Sequence, residues 1–270
     1  MKKITNSNFE IRFATVLKKE PFADKGINDA YKATIVLEDK TKRIALAKRI
    51  DFDEIVRELF SACVGMQLGL PIPSQFLVLD REIKSILYTC EFINYPNYFN
   101  AFTAKGQTAE TGYKVLKAWK GWCSTVAFDE LIINKDRHLA NFLWGGEDNF
   151  YLIDHGRTFG EPSWLERQNR LIDIYKKLLR PSAKELENAI RNCQKKAEKI
   201  PRDLGKRTLE EFDNLSCEPN LLNQLQREAE KLTKILDESF ENLPDQLSSH
   251  LPSGEYGPLF ADDDNEPKVS

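Results

Sequence analysis

Asn134-Lys135-Asp136-Arg137-His138-Leu139-Ala140-Asn141, followed after a short gap by Tyr151-Leu152-Ile153-Asp154-His155-Gly156, is the stretch whose reading decides the fold. Asn141 to Trp144 and Phe150 to Ile153 are short and apolar, and Gly145-Gly146-Glu147-Asp148-Asn149 between them is a strong turn signal. The spacing therefore predicts a hairpin. Asn141 opens one strand and Asp154 closes the next, so an amide and a carboxylate meet at the same end. Gly156 gives the chain room to bend away sharply just beyond.

Those ends have a chemistry in common. Phosphoryl transfer needs a carboxylate that orients and deprotonates the attacking hydroxyl, and oxygen ligands that hold Mg²⁺ against nucleotide phosphates. Asp-x-x-x-x-Asn followed by Asp-x-Gly is one pattern that supplies them, and Asp136-x-x-x-x-Asn141 with Asp154-His155-Gly156 has that spacing. An ordinary hairpin with polar ends would account for the first element alone. It does not account for strand, turn and Asp-x-Gly in register.

Working toward the N-terminus, Ala33 to Leu37 and Arg43 to Lys48 flank the polar turn Glu38-Asp39-Lys40, which predicts a second hairpin. A helix is expected from about Asp53 to Leu68, because Ile55, Val56, Leu59, Phe60, Cys63 and Met66 recur at three and four residues. Asp51 can cap its start with Glu54 three residues on, and Gly69 with Pro71 marks its stop. Two further strands are expected at Phe76 to Leu79 and Ile86 to Ile93, before the turn-rich Asn94-Tyr95-Pro96-Asn97, which reads as a hinge.

Toward the C-terminus the pattern turns helical from about Ala109, and Val126 to Ile133 reads as the end of a buried helix. Beyond Pro162 the chain is expected to be helical to about Leu243, with breaks at Pro181, near Pro201 and at Pro219. The last residues, 251–270, are rich in Asp, Pro, Ser and Gly and read as a disordered tail.

Composition excludes several classes. A net charge of −3 carries no general attraction to nucleic acid or to a membrane surface. The five cysteines are odd in number and form no Cys-x-x-Cys pair, which speaks against a zinc site and for reduced thiols in the cytoplasm. The N-terminus lacks the apolar run of a signal peptide, and no segment is long and apolar enough to span a membrane. His138 and His155 are two of three histidines in the chain, and with no Cys or third His beside them both read as structural, His138 bracing its loop by hydrogen bonds. Arg137 either neutralises phosphate charge or holds the loop. On strand spacing alone Lys48 competes with Arg49 and Lys42 as a phosphate-facing cation.

The segment 134–156 resembles the HipA-like family of bacterial toxin kinases, and its Asp-Arg-His-x-x-Asn wording distantly resembles phosphoinositide kinases. Asn134-Lys135 before the catalytic Asp fits the HipA-like pattern better than the eukaryotic His-Arg. Glu58 to Cys63, running to Leu68-Gly69-Leu70-Pro71-Ile72-Pro73, resembles the same family's helix and Gly-Leu-Pro-x-Pro turn, so the likeness covers roughly Ala33 to Glu161. It implies an α+β, bilobal protein-kinase-like fold. Residues 1–94 would form an N-terminal lobe of antiparallel sheet plus one helix, and residues 95–250 a mostly helical C-terminal lobe. ATP and Mg²⁺ would lie between them.

The resemblance also implies roles. Asp136 would be the catalytic base, Asn141 and Asp154 the metal ligands, and Lys48 the lysine on the α and β phosphates. Glu58 at the border of the apolar stripe would pair with Lys48, and Glu91 to Ile93 would offer backbone hydrogen bonds to adenine. The implied activity is a serine/threonine protein kinase, a toxin acting on a translation component such as an aminoacyl-tRNA synthetase, with an antitoxin or regulatory protein as partner. No stretch resembles a helix-turn-helix reader, so direct nucleic-acid binding is not expected. A lipid or small-molecule kinase, or a nucleotide-binding pseudokinase, are the rival readings.

Two departures bear on regulation. The expected phosphate-covering loop, Pro21 to Ala33, holds a single glycine and no Ser or Thr, which speaks against self-phosphorylation there. Arg157 to Gly160 leaves a short route to Pro162, with little room for an activation segment, so activity by default or control by a partner protein is expected.

Overall fold

Small residues at alternate positions decide the N-terminal architecture. The computed structural model describes residues 11–21, 30–160 and 169–251. Strands β1 (Arg12–Pro21), β2 (Ala30–Leu37), β3 (Lys42–Lys48), β4 (Gln75–Asp80) and β5 (Ser85–Glu91) close into a barrel in the order β1-β2-β3-β5-β4. Its interior is filled by Ala14, Ala33, Ala45 and Ala47 beside Ile35, Leu37, Phe76, Val78 and Leu87. A five-stranded barrel is narrow, so four alanines among larger side chains are what its taper admits.

Closure corrects the expectation of an antiparallel sheet. The strand that closes it is β1, which pairs antiparallel with β2 and parallel with β4. The two expected hairpin strands are β2 and β3, joined by a turn in which Lys40 takes φ 66°. The expected phosphate loop falls largely on residues 22–29, outside the described residues, as do the N-terminal segment 1–10, the stretch 161–168 around Pro162, and the tail from 252.

Helix α1 (Phe52–Gln67) buries Ile55, Val56, Leu59, Phe60, Cys63 and Met66. At its end Leu70 N–H reaches Gly65 O (3.0 Å) and Gly69 N–H reaches Met66 O (2.9 Å), with Gly69 at φ 73°. This is the Schellman arrangement, in which a left-handed residue satisfies the last carbonyls. The start differs from expectation: Asp51 occupies the N-cap position, but its side chain makes no capping bond, so no capping box forms with Glu54.

The remaining chain is helical around one short hairpin. Helices α2 (Tyr98–Thr103), α3 (Ala109–Ala118) and α4 (Trp122–Leu131) precede a 3₁₀ turn (Leu139–Asn141) and strands β6 (Phe142–Trp144) and β7 (Phe150–Leu152). Helices α5 (Arg170–Leu179), α6 (Ala183–Ala197), α7 (Leu204–Asp213) and α8 (Pro219–Ser248) follow. Pro181 and Pro201 fall in the breaks, Pro219 starts α8, and α8 runs through Pro244, past the expected end at Leu243. α4 is buried on nearly every side, with Trp122 and Thr125 to Leu131 all covered, so it is the central post of the helical part. Where α1 approaches it, a Cβ on Gly65 would stand 2.3 Å from Ile72 Cδ1 and 3.0 Å from Phe128. A larger residue there would have to displace the Ile72 and Phe128 side chains. One continuous apolar cluster thus joins α1 to the C-terminal helices, making α1 the bridge between barrel and helices.

Candidate active site

The hairpin of β6 and β7 does what its sequence predicts, with one adjustment. Asn141 belongs to the 3₁₀ turn and Asp154 lies two residues past β7, so neither is a strand residue. They are still brought alongside, because Ile153 N–H continues the ladder to Asn141 O (3.1 Å). The bend occurs at Asp154 itself, at φ 62°, a left-handed conformation that Asp tolerates better than most side chains. Gly156 does not turn the chain; it gives clearance, since a Cβ there would lie 2.7 Å from Glu54 Cγ.

The loop before the hairpin is set by a buried cation. Arg137 is fully buried, and its Nε and Nη2 donate to the Asp129 carboxylate at 3.0–3.2 Å. Its Nη1 donates to Ile153 O (2.8 Å) and Asn141 O (3.4 Å). Asn134 completes the frame: its Nδ2 donates to Asp129 Oδ1 (2.9 Å) and its Oδ1 accepts from Asp136 N–H (3.1 Å). Arg137 therefore ties the end of α4 to both ends of the hairpin and leaves phosphate neutralisation to others. Among the described residues the His138 ring makes no hydrogen bond, so the bracing expected of it is supplied by Arg137 and Asn134. Asp129 went unrecognised in the sequence, although an acid buried inside the apolar run Val126 to Ile133 needs a cation nearby.

With the loop fixed, the carboxylates sort by environment. Asp136 is partly exposed, and Arg157 Nη1 lies 3.5 Å from its Oδ2. Asn141 Nδ2 donates to Asp136 O (3.2 Å), while the buried Asn141 Oδ1 has no partner among the described residues. Asp154 faces the cleft and is paired with the Lys48 ammonium. Burial would raise the Asp154 carboxyl, but the charge and hydrogen bond of Lys48 outweigh it and hold it below its ordinary value of 3.8.

Lys48 ends β3 and is the member of the three candidate cations that turns inward; Lys42 and Arg49 are exposed. Its Nζ also lies 3.9 Å from Glu58 Oε1. Burial opposes its charge, yet the two carboxylates overcome this and raise its pKa, so the ammonium is fully protonated. Glu58, itself buried, accepts the His155 backbone N–H at Oε2 (2.7 Å). Arg57 Nε donates to Gly156 O (2.8 Å), Ser61 Oγ meets Thr158 Oγ1 (2.8 Å), and Phe60 stacks edge-on against Phe159 at 5.5 Å. One face of α1 thus clamps the whole segment after Asp154. His155 is buried against Phe128, neutral because burial lowers its pKa below 6.5, consistent with a structural role.

These groups border a cavity of about 660 Å³ lined by Lys48, Tyr88, Asn141 and Asp154 at one end and by Glu91 to Asn97 at the other. That lies within the range of small-molecule pockets, about 300–1,000 Å³. The Glu91 carboxylate accepts from Ser74 Oγ (2.9 Å) and its N–H donates to Ser74 O (2.8 Å), so its backbone can serve a ligand through the carbonyl. Phe92 N–H remains in the sheet, bonded to Ile44 O (3.0 Å). Ile93 N–H has no partner among the described residues, as a hinge donor requires.

Among the described residues no group of three or more His, Cys, Asp or Glu side chains could hold a metal. Mg²⁺ does not need one, since it is commonly bound by one or two side-chain oxygens, waters and substrate phosphate. Asn141, whose Oδ1 is unpartnered, and the ionised Asp154 line the same cavity and offer hard oxygens that fit it.

A closed barrel, a helical part and a cleft edged by acid, amide and paired lysine are the arrangement against which a family match can be read. A family model described as HipA-like kinase matches residues 24–240. The chain belongs to the HipA-like kinase family. Comparison with curated proteins finds no significant match.

Proposed function

We propose that this protein is a Mg²⁺-ATP-dependent serine/threonine protein kinase with Asp136 as catalytic base. What supports the reading is convergence: Lys48 from the barrel and Asn141 and Asp154 from the hairpin ends line one cleft, with Glu58 from α1 buried behind Lys48 at 3.9 Å. Adenine lies against residues 91–93, with Ile93 N–H as donor. The Lys48 ammonium, steadied by Glu58, meets the α and β phosphates. Asn141 Oδ1 and the Asp154 carboxylate would hold Mg²⁺, which would supply charge neutralisation to the nucleotide phosphates.

Transfer then needs only alignment. The acceptor hydroxyl oxygen forms its bond to the γ phosphorus as the bond to the β–γ bridging oxygen breaks, ADP leaves, and the hydroxyl proton passes to Asp136. Arg157 beside Asp136 offsets charge near the acceptor. In keeping with the family, the acceptor is a translation-related protein such as an aminoacyl-tRNA synthetase, the chain acts as a toxin, and an antitoxin protein restrains it.

The test is incubation of purified protein with radiolabelled ATP and Mg²⁺ in a bacterial lysate, beside Asp136→Ala. We expect label in a discrete protein band with the wild type, reduced at least about 10²-fold in the variant. Equal labelling by both proteins would remove Asp136 from its role, and nucleotide binding without transfer would make the protein a pseudokinase.

A further inference from the structure

We propose that an open apolar groove beside the loop carrying Asp136 seats the polypeptide acceptor, taking a bulky apolar side chain flanked by an acidic one. The proposal rests on the protein-kinase reading and adds the acceptor's chemistry to it. The groove, about 420 Å³, runs between Phe99 of α2 and Ile174 and Leu178 of α5, with Leu139 as its floor and Lys177 at its edge.

Continuity with the cleft identifies the occupant. His138 and Ala140 line the groove on one side and the larger cavity on the other. A chain lying in the groove is therefore led past the loop of Asp136, two residues from His138, toward the γ-phosphate end of the cleft. A surface meant only for a regulatory partner has no need to share walls with the catalytic loop.

The walls say what that chain carries. Phe99 is 46% exposed although it is a large aromatic, and covering it against Ile174 and Leu178 recovers apolar area at roughly 25 cal/mol per Å². Lys177 is the charged residue of the lining and it is exposed. Its ammonium stands beside Ile174 and Leu178 on the same helix, so one charged group borders an otherwise mostly apolar lining. One cation at the edge of an apolar floor complements an acidic residue next to a Leu, Ile, Met or Phe. It also holds apart like-charged competitors.

The test uses a positional-scanning library of Ser- and Thr-centred peptides with radiolabelled ATP and Mg²⁺, with phosphatidylinositol vesicles in parallel. Wild type, Lys177→Glu and Phe99→Asp are compared. We expect the wild type to select a large apolar residue at one position by about fivefold or more and Asp or Glu at a neighbouring one by about two- to fivefold. Lys177→Glu should turn the acidic preference basic at that same position, an outcome that mere destabilisation cannot produce. Phe99→Asp should erase the apolar preference. Flat selection by the wild type, or selection unchanged in both variants, overturns the groove while the kinase reading stands, because phosphate still moves. Label in lipid alone, or Mg²⁺-ATP binding with no labelled peptide, overturns the protein-kinase reading and the groove with it.

Discussion

Arg137 has the least freedom of any charged residue near the cleft. Its guanidinium is spent on Asp129, Ile153 O and Asn141 O, so it fixes the geometry of the Asp136 loop without facing a ligand. Removing one partner of a buried ion pair leaves the other uncompensated, at about 3–5 kcal/mol. Arg137→Met should lower the urea midpoint accordingly, and pairing it with Asp129→Leu should recover much of the loss; a midpoint equal to the wild type's would contradict this account. His155 offers a second residue-scale prediction. Burial holds its pKa below 6.5, so as pH falls the unfolded chain takes up this proton before the folded one. Stability is intact above about pH 6.5 and erodes below it. His138, shifted the same way by burial, adds to the slope. Denaturation midpoints measured from about pH 7.5 to about pH 5 should fall for the wild type and fall less steeply for His155→Phe.

At the scale of elements, α1 couples barrel to hairpin, and Glu58 is the atom-level hinge of that coupling, holding Lys48 with one oxygen and His155 N–H with the other. Glu58→Gln keeps an acceptor for the N–H and loses the charge; Glu58→Ala loses both. Hydrogen exchange of the amides at 155–159 should therefore rise in the order wild type, Gln, Ala, with the Ala variant destabilised by about 3 kcal/mol. Equal exchange in all three would remove the clamp. The helix itself was legible to within a residue, because its apolar stripe and Gly69 stop are local signals. Strand β1 was not legible: Ala14 is its buried interior residue, Leu17 is exposed, and a register shift falls between Val16 and Lys18, so alternation is blurred. Its parallel pairing with β4 depends on a partner far along the chain, which no local pattern reveals.

Across the whole molecule, the site was more legible than the frame that holds it. Asp136, Asn141 and Asp154 are gathered by one local hairpin, whose turn residues announce it, whereas Lys48 and Glu58 arrive by tertiary packing and needed a family resemblance to be singled out. That division suggests how binding energy is distributed. A nucleotide bound as proposed, spanning residues 91–93, Lys48 and the hairpin ends, would join barrel and helical part in one ligand-bound unit. At a hundredfold excess over Kd it stabilises the fold by about 2.7 kcal/mol, which for a chain of this size raises Tm by about 5–10 °C. Mg²⁺ should add to the ATP shift in the wild type. Asn141→Ala, which removes the unpartnered Oδ1 and one bond to Asp136 O, should keep the shift with ATP alone and lose the Mg²⁺ increment. Thermal denaturation with ATP, Mg²⁺ and both together separates these terms: an undiminished Mg²⁺ increment in Asn141→Ala would mean that the cation is held elsewhere, while loss of the ATP shift itself would place Asn141 in the nucleotide contact instead of beside it.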